Sequence, residues 1–110
     1  GSTRAGKEIA SVAAPMFKKL SLELGGKNPV VIFADCDYED MLNTTVRSSF
    51  TNQGQICLCG SRIYIESSLY ERFKADFVER AKKLVVGDPK SAESTVGCVV
   101  SELHWKKILS

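Results

Sequence analysis

Hydrophobic residues follow first a helical and then a strand periodicity in the first third of the chain. Apolar side chains recur every three to four positions over residues 3–14, which predicts a helix that Pro15 limits. Leucines alternate with polar residues over residues 20–24, which predicts a short strand that ends at a glycine pair. The β-branched run over residues 30–33 predicts a strand buried on both faces, which is typical of an α/β protein.

The rest of the chain continues this alternation. An amphipathic helix is predicted over residues 38–51, behind an Asp37 cap, and a strand is predicted over residues 61–65. Ser68 and Ser101 have the pattern of residues that cap two further helices. Alternating helices and strands favour a parallel or mixed sheet covered by helices. Such a sheet usually has more strands, so we expect the chain to be an internal segment of a larger α/β fold.

Composition narrows the classes of protein to which the chain can belong. It has 110 residues, 44% hydrophobic and 25% charged, and these values exclude a disordered tail or a coiled coil. The net charge is only +2 with both signs scattered, so we expect no nucleic-acid partner. No apolar run reaches the roughly 18 residues that span a bilayer, and no signal-peptide core begins the chain. We therefore expect a cytoplasmic protein with no membrane partner.

Four cysteines raise the question of metal binding or covalent chemistry. Their spacings do not match a redox or zinc module, so we expect no metal site. Cys57 follows a predicted helix and a turn containing Gly54, where a thiol and its own backbone N–H can point into one cleft. This placement suits a nucleophile, and a buried small apolar side chain is the alternative. Cys59 would face the same side if the strand has already begun, so spacing alone does not choose between the two cysteines.

Two other segments have residues suited to catalysis or ligand binding. Glu23 lies between leucines beside a glycine pair, where partial desolvation suits a general base, and a solvent-facing glutamate is the alternative. Residues 1–6 place hydroxyls and free N–H groups at the start of a predicted helix, and such a helix start favours the binding of a phosphate group. Residues 1–6 lack the glycine spacing of a dinucleotide-binding fingerprint. The alternative for Gly1 and Ser2 is a remnant of cloning.

Together these segments resemble the aldehyde dehydrogenase superfamily. Two segments are similar to the two signature motifs of this superfamily: residues 22–29, LELGGKNP, and residues 50–57, FTNQGQIC. They occur in the same order as in the family and are separated by the same number of residues. Residues 1–6 resemble the family's cofactor-contacting helix start, and the resemblance continues through residues 86–89 to the last predicted helix. Three further segments, at residues 20–22, 46–50 and 56–59, resemble the branch that acts on muconic semialdehydes.

The resemblance implies a catalytic role for two side chains. Cys57 would be the nucleophile that attacks the aldehyde carbon, and Glu23 would activate the water that hydrolyses the resulting thioester. Cys59 would be a packing residue. The asparagine that completes the family's oxyanion hole belongs to a region upstream of Gly1. An alternative activity is hydrolysis by Cys57 and Glu23 without a cofactor. It is less favoured, because no histidine lies near either residue in the sequence.

The resemblance also implies a dinucleotide cofactor, NAD, with NADP as an alternative. Leu24 would offer its backbone carbonyl to the nicotinamide amide. Ser2 would contact the pyrophosphate, with Gly1 and Gly6 allowing its close approach. In this scheme the cofactor accepts the hydride, while the protein supplies covalent capture and a base.

Two domains are implied by the resemblance, with residues 1–24 ending the Rossmann-like NAD(P)-binding domain and residues 25–110 forming part of the α/β catalytic domain. We expect a catalytic-core fragment of a homo-oligomeric enzyme that oxidises a small-molecule aldehyde to a carboxylic acid, with the isolated segment inactive. The alternative is a truncated, non-catalytic product that binds a dinucleotide or an intact subunit. Apolar faces around Phe73, Phe77 and Trp105 are expected to be uncovered.

Overall fold

The computed structural model describes all 110 residues and contains four α-helices and a two-stranded parallel sheet. Strand β1 (Asn28–Ile32) pairs with β2 (Gly60–Ile65), and the chain crosses from one to the other through a helix. Because parallel strands need such a crossover, these three elements form a β-α-β unit. The α-helices are α1 (Thr3–Ala13), α2 (Tyr38–Phe50), α3 (Tyr70–Lys82) and α4 (Glu102–Leu109), and 3₁₀ turns occupy Ala14–Met16 and Ser67–Leu69. The segment Thr51–Gly54 forms a tight turn of non-helical conformation.

The hydrophobic core lies between the sheet and helices α2 and α3. Ile32 of β1, Leu42 of α2 and Phe73 of α3 form one buried cluster, in which Leu42 is only 1% exposed. Phe77 stacks on Phe73 with the ring centroids 5.2 Å apart. The expectation that Phe73 and Phe77 would be uncovered is therefore wrong, because the apolar stripe of α3 already packs on the sheet and on α2.

Two of the three predicted helix caps are confirmed. The side chains of Asp37 and Ser101 each accept a hydrogen bond, at 3.1 Å, from the backbone N–H three residues later. Ser68 does not cap α3, because its hydroxyl donates to the carboxylate of Glu66 instead. The 3₁₀ turn before α3 leads the chain directly into the helix, which begins without a side-chain cap.

The strand predicted over residues 20–24 is not formed. Residues 18–27 have no regular secondary structure, because no neighbouring strand lies beside them to exchange backbone hydrogen bonds. Leu22 and Leu24 instead pack against α1 at Gly6, where a methyl group would lie 3.1 Å from the Leu24 side chain. The missing side chain of Gly6 is what allows this contact.

The strand predicted over residues 30–33 is formed as β1, but helices cover only one of its faces. Ile32 of β1 is buried in the core, whereas Val31 is 60% exposed and Phe33 lies open just after the strand. The expectation of burial on both faces is wrong, because the helices that form the core cover only the Ile32 side.

The chain is elongated and leaves much of its apolar surface open. Its radius of gyration is 18.0 Å, whereas a compact domain of 100 residues has about 13 Å. Only 7 of the 110 residues are buried, and large side chains such as Trp105 are half exposed. None of the helices has both the length and the apolar character required to cross a membrane.

Polar contacts also join α2 to α3. The Tyr38 hydroxyl donates to the Asp76 carboxylate at 2.6 Å, and the Arg72 guanidinium lies 3.7 Å from the centre of the Tyr38 ring. Desolvation and this hydrogen bond raise the pKa of Tyr38 to about 12. Arg80 of α3 reaches back to Glu39 and Asn43 of α2.

We predict that Tyr38→Phe lowers the free energy of unfolding by about 1 kcal/mol, because the ring is kept and only the hydrogen bond is lost. The pKa of Tyr38 is raised in the folded state, so the contribution is complete below about pH 10 and is lost as pH rises through about 12. Urea unfolding of the dilute chain, followed by circular dichroism between pH 8 and pH 11, measures this. Tyr70→Phe is the control, and an equal loss there would contradict the assignment.

Candidate active site

The loop before β2 contains a tight left-handed turn. Asn52, Gln53 and Gly54 have φ values of 51°, 57° and 69°, so three consecutive residues adopt a conformation that side chains disfavour. At Gly54 a side chain is excluded, because a methyl group there would lie 2.9 Å from the Ser49 carbonyl oxygen. Such local strain persists only where the surrounding structure holds it, and it occurs frequently at active sites.

The two cysteines after this turn have different environments. Cys57 is exposed, whereas Cys59 is only 5% exposed and its thiol lies 3.8 Å from the Thr51 carbonyl oxygen. Strand β2 begins at Gly60, after both residues, so their side chains are not held on one face by strand geometry. Cys57 is therefore open to a reactant, and Cys59 is packed.

The segment that leads into β1 lies against the Cys57 loop. The Asn28 amide nitrogen is 2.6 Å from the Cys57 carbonyl oxygen and 3.1 Å from the Cys59 carbonyl oxygen, and donates to both. A methyl group on Gly26 would lie 3.9 Å from the Cys57 carbonyl oxygen. The Arg62 guanidinium donates to the Lys27 carbonyl at 2.6 Å, so it fixes the backbone here. The sequence segment that contains Glu23 is thus brought next to the segment that contains Cys57.

The start of α1 packs on the same segment, at Glu23 and Leu24. The Gly1 nitrogen donates to the Glu23 carbonyl at 2.9 Å, and Gly6 packs on Leu24. The Ser2 hydroxyl caps α1 by accepting a hydrogen bond from the Ala5 N–H at 3.2 Å. The structure therefore brings together Gly1, Gly6, Glu23 and Leu24, and places Ser2 at the open end of a helix. Glu23 itself is exposed, so the expected partial desolvation of this residue is wrong and the solvent-facing alternative describes it.

A cavity of about 330 Å³ lies beside the cysteine loop. Ile56, Leu58 and the packed Cys59 line part of it, whereas Cys57 does not. Arg47 of α2 also lines it, and none of the ion pairs of the chain involves this residue. The part of the lining that α2 supplies thus carries a positive charge that no carboxylate of the chain neutralises.

Sequence reasoning missed the bridging contact of Asn28. In the sequence this residue stands out only as part of the LELGGKNP motif, because no local pattern links it to carbonyl groups 29 and 31 positions later. The one available signal was its place before Pro29, which holds the preceding residue in an extended conformation.

Comparison with known proteins gives a consistent result over the whole chain. The sequence model of the aldehyde dehydrogenase family matches residues 1–110. The chain is 50% identical over 108 residues to 2-aminomuconic semialdehyde dehydrogenase from Danio rerio, covering 98% of this chain and 22% of that protein. It is 36% identical to betaine aldehyde dehydrogenase from Vibrio vulnificus, covering 99% of this chain and 22% of that protein.

Solved structures agree with the sequence matches. Betaine aldehyde dehydrogenase from Staphylococcus aureus, crystallised with NAD+, superposes with a TM-score of 0.92 at 36% identity, covering 98% of this chain and 21% of that chain. The chain thus spans about a fifth of the length of the relatives it matches, and the predicted fold class, a segment of an aldehyde dehydrogenase-like α/β fold, is confirmed. On the match over every residue from 1 to 110 and on this structural agreement, the chain belongs to the aldehyde dehydrogenase family.

Proposed function

We propose that this chain is the catalytic-core segment of an NAD-dependent dehydrogenase that oxidises an aldehyde to a carboxylic acid. One observation carries the proposal: an exposed Cys57 follows a strained turn and is tied through Asn28 to the segment that contains Glu23. A nucleophile and a base on adjoining loops are what a two-step acyl transfer requires. The full-length protein, with the parts of the family that this chain does not include, would perform the reaction.

In the first step the Cys57 thiolate attacks the aldehyde carbon and forms a carbon–sulfur bond. The carbonyl electrons move to oxygen, and the backbone N–H of Cys57 would donate to this oxyanion, as the family resemblance implies. NAD, when bound, supplies the hydride acceptor that turns this adduct into a thioester. The open position of Cys57 supports this role, because the carbon must approach its sulfur directly.

In the second step the Glu23 carboxylate takes a proton from water. The resulting hydroxide attacks the thioester carbon, the carbon–sulfur bond breaks, and Cys57 is released as thiolate with the acid as product. The contact of Gly26 with the Cys57 carbonyl supports this assignment, since only three positions along the chain separate Glu23 from Gly26.

The residues at the start of α1 fit a dinucleotide. No acidic residue lies in the first turn of this 11-residue helix, so its positive end is free to face a pyrophosphate. The Ser2 hydroxyl accepts the capping bond and keeps its own proton to donate. Gly1 and Gly6 add no side chain there, and no backbone group donates to the Leu24 carbonyl, which leaves it open to an amide.

We propose that residues 1–24 end the cofactor-binding domain and that residues 25–110 belong to the catalytic domain. The packing of Gly6 on Leu22 and Leu24 supports this division, because it joins two parts of the first unit. As the family resemblance implies, we also propose that the full-length enzyme is a cytoplasmic homo-oligomer.

For the substrate we propose an aldehyde that also carries a carboxylate. Relatives at 46–50% identity are named 2-aminomuconic semialdehyde dehydrogenases. The Arg47 guanidinium on the wall of the cavity beside Ile56 and Leu58 supports this class, because arginine binds carboxylates in a two-pronged geometry.

We predict that in the full-length enzyme Cys57→Ala abolishes aldehyde oxidation, whereas Cys59→Ala retains most of it. The first variant loses the reacting sulfur and the second loses only a packed side chain. Steady-state kinetics and mass spectrometry of the iodoacetamide-labelled peptide measure the two effects. Labelling confined to Cys59, or full activity of Cys57→Ala, would exclude Cys57 as the nucleophile.

We predict that Glu23→Gln slows thioester hydrolysis more than thioester formation, because the carboxylate acts on water in the second step. Rapid mixing with aldehyde and NAD should give a burst of NADH followed by a slow steady state. Glu8→Gln, at an exposed position on α1, is the control and should behave as the unmodified enzyme. Loss of the burst itself in Glu23→Gln would contradict the assignment.

We predict that Arg47→Gln raises KM for a carboxylate-bearing semialdehyde about tenfold, since a hydrogen-bonded charge pair is lost. KM for an uncharged aldehyde of the same length should stay unchanged, and Arg47→Lys should retain part of the preference. Kinetics with both aldehydes test this. An equal change for both would show that Arg47 does not recognise the carboxylate.

A further inference from the structure

The side-chain amide of Asn28 bridges the two signatures of the chain. Its amide nitrogen donates to the Cys57 carbonyl at 2.6 Å and to the Cys59 carbonyl at 3.1 Å. Only a donor can face two carbonyl oxygens, so the orientation of this amide is fixed by its partners. The contact joins the first residue of β1 to the loop that precedes β2.

The two carbonyl groups differ in how else they are held. The Cys59 carbonyl also accepts a hydrogen bond from the Ser61 hydroxyl at 3.2 Å. The Cys57 carbonyl accepts a hydrogen bond from Asn28 alone. The loss of the Asn28 amide would therefore free the peptide group between Cys57 and Leu58, whereas Cys59 would keep a second donor.

The backbone around Asn28 makes the bridge rigid. Pro29 restricts Asn28 to an extended conformation, and the register shifts here, because Asn28 lies opposite Gly60 while Pro29 lies opposite Arg62. Arg62 in turn donates to the Lys27 carbonyl at 2.6 Å, on the other side of Asn28. The amide thus projects from a held main chain toward the Cys57 loop.

We propose that Asn28 is a positioning residue for the reaction of Cys57, an inference that rests on the proposed function. By holding the carbonyl of Cys57, it fixes the rotation of the backbone at that residue, and with it the direction of the thiol. The same amide keeps the loop that contains Cys57 at a constant distance from the segment that contains Glu23. It touches no reacting atom in this arrangement.

Asn28→Asp tests the proposal in the full-length enzyme, because it keeps the shape of the side chain and replaces the donor with a third acceptor. We expect the rate constant of the NADH burst to fall by roughly 10- to 100-fold, with KM for NAD unchanged, since a small misplacement of a nucleophile has effects of this size. The rate of iodoacetamide labelling of Cys57 should fall in parallel. Asn28→Ala, which only removes the donors, should give a smaller effect of the same kind.

Ser61→Ala is the matched control, because it removes the other donor to the Cys59 carbonyl and leaves Cys57 bound. It should retain the burst and labelling rates of the unmodified enzyme. A role of Asn28 in stability alone would lower the amplitude of the burst and not its rate constant, and this outcome would overturn the proposal. Equal effects of Asn28→Ala and Ser61→Ala would also overturn it.

The labelling rate separates the proposal from the proposed function. If the unmodified protein oxidises no aldehyde, the dehydrogenase assignment fails, yet slower labelling of Cys57 in Asn28→Asp would still support the positioning role. Unchanged labelling in both Asn28 variants would refute that role whether or not the protein is a dehydrogenase. Should Asn28→Asp fail to fold, the comparison of Asn28→Ala with Ser61→Ala decides the question alone.

Discussion

The parallel pairing of β1 and β2 determines where the candidate chemistry lies. Strands that run in the same direction have their amino ends at one edge, and the two signature segments are the stretches that lead into those ends. Asn28 stands opposite Gly60 in this register, so the loop with Glu23 and the loop with Cys57 meet at that edge. In the common open α/β sheet, ligands bind at the carboxyl ends of the strands, and here the candidate site lies at the opposite edge.

Much of the fold could be predicted because the elements obey local rules. Helix α2 has an apolar stripe and an Asp37 cap, and both are properties of a few consecutive residues. The failed strand at residues 20–24 also alternates correctly, but a strand depends on a neighbour that periodicity cannot supply. Ser68 failed as a cap for a related reason, because the hydrogen bond to Glu66 competed with capping.

The candidate site could be predicted in part. The motifs singled out Cys57 and Glu23, whereas spacing did not separate Cys57 from Cys59 until the structure showed that β2 begins only at Gly60. The bridge through Asn28 was out of reach, since it depends on the register of two strands and on the place of a loop. Contacts between distant positions arise from tertiary packing, which no single stretch of sequence encodes.

The left-handed turn before Cys57 links the geometry of the candidate site to the integrity of the core. Residues such as Asn52 and Gln53 hold a disfavoured conformation only while the β-α-β unit around them is packed, so the free energy that maintains the turn comes from burial elsewhere. A substitution that weakens the packing of Leu42 would let the turn adopt a less strained backbone conformation, although the Leu42 side chain lies in the core and not in the Cys57 loop. The shape of the loop that contains Cys57 is therefore a property that substitutions inside the protein can change.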